Sequence, residues 1–397
     1  MLFDPWNPDF VASPYGAYDV LRREAPVSYY EPTGQWLIAR HADVNALLRD
    51  RRLGRSYLHV ATHEEFGRTP EPEFQEPFWR VIRAGMLDVE PPVHTRLRRL
   101  VSKAFTPRMV ESLRPQVRAI ARGLVDAYVD KGGGDLIAEV AEPLPVTVIA
   151  EMLGIPESDR HLLRPWSSDI CGMYELNPTP EVQHTAVRAA SEFSAYLSDL
   201  AAARRRAPGD DLISALTQVE ELTEDELVGT CVLLLNAGHE ATVNVTGNGW
   251  WALFRNPAEL ERLRHDRSLL PTAVEELMRW DTPLQMFERW VLEDIEVHGV
   301  RIPRGSEVAL LFGSANRDPA VFADPDRLDV GRADNPHISF GAGIHFCLGA
   351  PLARIELIES FGALLDRSVT LELTEEPAWK PGYVIRGLRA LELTATG

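Results

Sequence analysis

The 397-residue chain reads as a mainly helical protein with a smaller β-rich part. Three observations point there. First, a capping box, Thr223-Glu224-Asp225-Glu226, opens a helical segment that runs to Arg255 and stops at Asn256-Pro257. At 1.5 Å per residue that segment would span roughly 48 Å, enough to cross a whole domain. Second, Ala350 to Arg367 is amphipathic, with Leu352, Ile355, Ile358, Phe361 and Leu365 at helical spacing. Third, short alternating or apolar runs such as 27–30, 35–39 and 307–312 have the character of strands.

In chain order, Tyr15 to Arg23 reads as a short helix. The runs 27–30 and 35–39 flank Pro32-Thr33-Gly34 as a β-hairpin, and Ala42 to Asp50 reads as helix. Residues 61–90, with Pro70, Pro72 and Pro77, read as an irregular loop. A helix begins after Pro91-Pro92, with His94 and Arg98 on one face and Leu97, Leu100, Val101 and Ala104 on another. Residues 109–215 are mostly helical, broken at Pro156, Pro165, Pro178, Pro180 and Pro208. Lys131 to Asp135 is a glycine turn. Pro271 to Trp280 is a short helix carrying Glu276 and Arg279 three apart. Residues 291–312 read as strands, and Gly382 to Leu393 as a turn and strand.

A net charge of −18 argues against a nucleic-acid binder. Three well-separated cysteines, Cys171, Cys231 and Cys347, show no metal-finger spacing and fit a reducing cytoplasm. The first residues do not read as a signal peptide or membrane anchor, and no apolar run approaches the ~18 residues of a spanning helix. No linker or repeat divides the chain, so a single unit over 1–397 is expected.

The richest stretch is Phe340-Gly341-Ala342-Gly343-Ile344-His345-Phe346-Cys347-Leu348-Gly349. Cys347 lies just ahead of a helix start, where free N–H groups and the helix dipole favour a thiolate. The glycines allow a flat ligand to approach the backbone closely. A thiolate so held is a plausible axial ligand for haem iron. The decapeptide fits Phe-Gly-x-Gly-x-His-x-Cys-x-Gly and resembles the signature of the cytochrome P-450 family of haem-thiolate monooxygenases, in its soluble bacterial type. A buried free cysteine in a glycine-rich turn is the plain alternative.

That resemblance implies one mainly helical unit with a long central helix crossing the haem. It implies haem b with Cys347 as the iron ligand, Phe340, Gly341 and Gly349 shaping the loop, and His94, Arg98, Arg289 and His345 on the propionates. It also implies a structural lock of Glu276 and Arg279 with Arg327, from Pro325-Asp326-Arg327. In the central helix Gly238, at a cost of about 1 kcal/mol relative to Ala, would let haem or dioxygen come close. Candidate substrate contacts are Phe78, Trp79, Val81, Ile82, Met86 and Leu87 in the loop over the pocket, and Ile170, Met173, Tyr174 and Leu176 in a mobile lid, 166–187. Leu234 and Ala237, then Leu284, Met286 and Phe287, and finally Val384 and Ile385 complete the set.

The chain departs from the family at one point. The usual pattern puts an alcohol directly after the acid, but Glu240 is followed by Ala241, with Thr242 one residue further and about 100° around the helix. Gly238, Glu240, Ala241 and Thr242 are therefore the candidate catalytic stretch, with three ways to deliver protons: a hydroxyl on the substrate, ordered water with Glu240, or a peroxide or coupling chemistry with other needs. His239 reads as a packed helix histidine rather than an iron ligand. The implied activity is insertion of one atom of O2 into a small, mostly apolar molecule of bacterial secondary metabolism, such as a polyketide, steroid or terpenoid. Electrons would come from NAD(P)H through ferredoxin reductase and ferredoxin, docking on Arg96, Arg98, Arg99, Lys103 and Arg108. Other readings are peroxide-driven oxidation or oxidative coupling on the same haem, and a non-catalytic haem-binding partner protein. A cytoplasmic monomer is expected.

Overall fold

The computed structural model describes residues 2–397. The central helix, Glu224–Arg255, has 32 residues. Its N-terminus is the capping box expected from Thr223 and Glu226, with both reciprocal hydrogen bonds formed. Apolar residues surround it on all sides, and such a helix must be buried all round. Helices Glu76–Ala84, Pro143–Leu153, Leu163–Cys171, Pro180–Arg206, Leu270–Trp280 and Ala350–Leu365 pack around it. Among the described residues no helix is long and apolar enough to cross a membrane.

The β part is smaller. A five-stranded sheet has the order Val27–Tyr30, Gln35–Ile38, Glu307–Leu310, Phe287–Val291, Leu53–Gly54. The hairpin register pairs Val27 with Ile38, and Gln35–Ile38 runs parallel to Glu307–Leu310. This sheet brings Arg289, on its fourth strand, beside segments more than 200 residues away in sequence. Gly133–Asp135, Glu392–Thr396 and Thr370–Leu373 form an antiparallel sheet, and Ile295–Val297 pairs with Val300–Ile302.

Four sequence expectations change here. The stretch 61–90 is not wholly irregular: Glu76–Ala84 is a helix that buries Phe78, Val81 and Ile82 at helical spacing. Pro77 lies in its first turn, where a missing N–H costs nothing, so it starts the helix instead of breaking it. Pro165 and Pro180 likewise sit in first turns, of Leu163–Cys171 and Pro180–Arg206. The glycine turn at 131–135 closes into a strand. Gly133 has φ +104°, and a Cβ there would strike the Leu393 carbonyl of the paired strand. Residues 382–391 are mostly bends, held by isolated pairings of Leu284 with Ile385 and Trp379 with Leu388.

Candidate active site

The cysteine loop folds back on itself between the β part and the helix Ala350–Leu365. Gly341 and Gly343 take φ of +70° and +71°, conformations that favour glycine. At Gly343 a side chain would also run into the Leu48 carbonyl. The Cys347 N–H donates to the Phe340 carbonyl at 2.9 Å, closing the loop. Phe340 is held by the Arg354 guanidinium, 4.4 Å from its ring centroid. Cys347 and Gly349 are partly exposed, and Gly349 caps the following helix. Burial pushes the Cys347 thiol above its ordinary pKa. The Gly349 and Ala350 N–H groups and the Arg98 and Arg354 guanidinium groups pull the other way. The helix start thus favours a thiolate as expected, but burial outweighs it in the chain alone.

Facing this loop is a cluster of basic groups with unused hydrogen-bonding capacity. The His94 and His345 rings lie 4.4 Å apart, and His94 is 3% exposed. Both His94 nitrogens and Nε2 of His345 are buried without a hydrogen-bond partner. Arg289 is buried, and its Nη1 donates only to the neighbouring Glu288 carbonyl, at 2.9 Å. Burial and the nearby Arg55 lower its pKa to about 9, against the pull of Glu90 and Asp88. Arg98 donates to the Phe346 carbonyl at 2.7 Å, which ties its helix to the cysteine loop. His94, Arg98, Arg289, His345 and Cys347, scattered over 250 residues of chain, therefore converge. Buried donors left unpaired are costly, and one or two carboxylates of a bound group would fill them.

Three residues of this cluster escaped sequence reasoning. Arg55 donates to Asp88 at 2.9 Å, and its backbone N–H donates to Glu90 at 2.5 Å. Glu90 in turn lies 3.8 Å from Nε2 of His345. Its place one turn before His94 was the available signal.

The central helix supplies the opposite wall. It is buried through most of its length, yet in its middle Ala237 is exposed and Leu233, Gly238, Glu240 and Ala241 are partly exposed. Leu233, Ala237 and Ala241 fall on one stripe at i, i+4, i+8, so along that stripe the helix faces open space and not packed side chains. Ala241 is on that open side. Thr242 is not: it lies about 140° from Ala237 around the helix and is buried, against its expected catalytic place. Gly238 is partly exposed beside Ala237 and has a second reason to be glycine. A Cβ there would sit 3.1 Å from Cδ1 of Ile149, so tight packing against Pro143–Leu153 also favours the glycine. Glu240 lies 3.5 Å from Nζ of Lys380, which itself sits 3.3 Å from Asn244 Oδ1. His239 is buried with Nδ1 3.2 Å from the Ser167 hydroxyl, a packed histidine as expected.

Of the substrate candidates, Ala237 borders that open space, while Trp79, Leu87, Met173, Leu284, Phe287 and Ile385 are partly buried. Ile82, Met86, Leu234 and Val384 are buried. Met286 is misplaced by the sequence reading: it is fully buried in an N-terminal cluster with Phe3, Phe10 and Tyr18. Neighbouring Phe287 lies instead beneath the Arg55 and Arg289 guanidinium groups, because successive strand residues face opposite ways.

The structural lock forms with a different third member. Glu276 and Arg279 are completely buried and joined by two hydrogen bonds of 2.7 and 2.8 Å. The further arginine on Glu276 is Arg332, at 3.0 Å. Arg327 offers only its backbone carbonyl to Arg279, at 3.4 Å, while its side chain is 63% exposed. The chain bends at 325–327, so the Arg327 side chain leaves the core and Arg332 re-enters it.

Comparison with known proteins agrees with this geometry. The Cytochrome P450 family model matches residues 181–375. The chain is 40% identical to cytochrome P450 monooxygenase PikC of Streptomyces venezuelae, over 97% of this chain and 92% of that protein. It is 38% identical to 6-deoxyerythronolide B hydroxylase of Saccharopolyspora erythraea, over 96% of each. The solved structure of the Bacillus subtilis 168 bacillaene polyketide synthase cytochrome P450 PksS superposes with a TM-score of 0.90 at 37% identity, covering both chains completely. The chain belongs to the cytochrome P450 family and is a monooxygenase working with haem iron, O2 and reducing electrons.

Proposed function

We propose that this enzyme binds haem b through Cys347 and hydroxylates a polyketide-type substrate that contributes a hydroxyl group of its own. The orphaned ring nitrogens of His94 and His345, with the poorly paired guanidinium of Arg289, suit the two propionates. Arg98 would join them on the same side as the cysteine loop. Bound haem supplies O2 activation at a thiolate-ligated iron. The chain's own part is to hold the substrate, exclude bulk water and bring protons to the cavity.

The observation that carries the reading is Ala241. It lies on the cavity stripe and has no hydroxyl, while the Thr242 side is turned away. Glu240, beside the partly exposed Lys380, can exchange protons with the outside. The last donor inside the cavity must then come from water or from the substrate. Among the relatives, one is a 6-deoxyerythronolide B hydroxylase and another belongs to a polyketide synthase system, which favours an oxygenated polyketide. In this reading electrons travel from NAD(P)H through ferredoxin reductase and ferredoxin. Arg96 is taken up by Glu226 and Arg98 by the loop, so the docking charges are Arg99, Lys103 and Arg108. Exposed Phe346 and Ile344 lie on the cysteine side. The enzyme works as a cytoplasmic monomer.

The test is a Soret titration and turnover assay with hydroxylated polyketides, each paired with its deoxy analogue. Substrate assistance predicts that both bind, that only the hydroxylated member turns over efficiently, and that Ala241→Thr rescues the deoxy member. Equal turnover of both members would defeat it. Turnover with hydrogen peroxide but not with ferredoxin and reductase would support the peroxide route, which the missing alcohol also favours.

A further inference from the structure

Glu175 joins two remote parts of the chain and has no role in the chemistry above. It follows the turn Gly172–Tyr174, between helices Leu163–Cys171 and Pro180–Arg206. Its Oε2 accepts hydrogen bonds from the Tyr383 and Val384 N–H groups at 2.9 and 3.0 Å, and its Oε1 accepts one from Ile385 at 2.8 Å. Three consecutive amides on one carboxylate make an anion cradle. Among the described residues no Lys, Arg or His pairs with Glu175, so these amides are its counter-charge. Gly382 completes the fit: a Cβ there would lie 2.6 Å from Glu175 Oε1. Its φ is not left-handed, so the nearest obstacle to a side chain there is the Glu175 carboxylate.

The two sides of this contact are built differently. The cradle is braced from behind. Gln285 N–H donates to the Val384 carbonyl at 3.0 Å, and Arg386 N–H to the Pro283 carbonyl at 2.7 Å. The Tyr383 hydroxyl meets that of Tyr18 at 2.7 Å, and Arg386 is bound to Asp281 and the Val11 carbonyl. The other side, 175–179, is a connection outside any helix, with Asn177 at φ +54°. Candidate substrate contacts sit on both sides: Met173 on the turn, Leu284 and Ile385 at the cradle.

We infer that Glu175 is a latch, a positioning residue that holds the 172–179 turn against Gly382–Ile385 and thereby sets how fast bulky molecules enter and leave the cavity. This rests on the reading that the cavity under the turn is the substrate site. Gln at 175 keeps the volume but presents an amide donor to at least one backbone N–H. Ala at 382 pushes the carboxylate away from the other side.

The experiment uses the haem-loaded full chain and stopped-flow release of 4-phenylimidazole (bulky) and imidazole (small), followed by the Soret band. Losing charge-assisted hydrogen bonds at one contact predicts that Glu175→Gln and Gly382→Ala each speed phenylimidazole release about ten-fold. Imidazole release should stay within about two-fold, and the double variant should match the singles because both break one contact. Unchanged phenylimidazole release, equal acceleration of both ligands, or additive effects would each overturn the latch. Hydrogen exchange of the unmodified protein decides it independently of variant folding. The 383–385 amides should be protected and should open together with 172–179; independent opening refutes the inference. If neither azole shifts the Soret band, the cavity reading fails, and exchange alone judges the latch.

Discussion

Two buried charge clusters in this molecule are built to opposite rules. At Glu276 both carboxylate oxygens are filled: Arg279 donates twice, and Arg332, Asn335 and the Asp329 N–H add bonds of 3.0, 3.2 and 3.0 Å. Arg279 gives its remaining donors to the Asn316, Pro325 and Arg327 carbonyls. Around His94, His345 and Arg289 the side chains are nearly as buried, yet three ring nitrogens have no partner. A completed knot holds a fold together, whereas an unfinished one is shaped for something the chain does not itself contain. The difference separates structural charge from binding charge without reference to any relative.

The sharpest way to break this contrast is Glu276→Gln. It leaves Arg279 and Arg332 buried beside a neutral amide and should cost about 3–5 kcal/mol in denaturant unfolding. A loss below about 1 kcal/mol would mean that the knot is not structural.

His239 is a packed histidine, held by Ser167 through Nδ1 and left without a partner at Nε2. Burial lowers its pKa from 6.5 to about 4, despite the opposing pull of Glu240. Between those values the unfolded chain takes up a proton that the folded chain refuses. The His239 contribution to stability is therefore complete above about pH 6.5 and falls as pH drops toward 4, by up to about 3 kcal/mol. His239→Gln should make that part of the stability profile, measured by urea unfolding, shallower without flattening it, because burial lowers the His94 pKa to about 4 as well.

Smaller effects refine the membership of each cluster. Arg332→Ala should cost about 2 kcal/mol, because it strips a donor from a buried carboxylate. Arg289→Met should leave the thermal midpoint of the haem-free protein unchanged or raised, while haem retention against apomyoglobin falls about ten-fold, or ~1.4 kcal/mol. A destabilised haem-free protein would move Arg289 into the structural class. Arg327→Ala, at an exposed side chain, should stay within about 0.5 kcal/mol.

Local chemistry made much of the protein legible in advance. The capping box at Thr223 and Glu226, the stop at Asn256-Pro257 and the strand pair 27–38 depend on residues near one another, and each formed as expected. The cysteine loop was legible for the same reason, since its glycines and its helix start are contiguous. Ala241, as the residue without an alcohol, could also be read directly. What only the tertiary structure decided involves direction and partnership. Gly238 packs closely on Ile149, Met286 faces the N-terminal aromatic cluster, and Arg332 takes the place expected for Arg327. Arg55, Glu90, Lys380 and Glu175 gained their roles from segments far away in sequence, up to 255 residues for Glu90 and His345. Short-range bonding constrains backbone conformation, so sequence determines elements and their caps. Which side chain completes a buried charge depends on how those elements are packed, and that is settled only when the whole chain closes on itself.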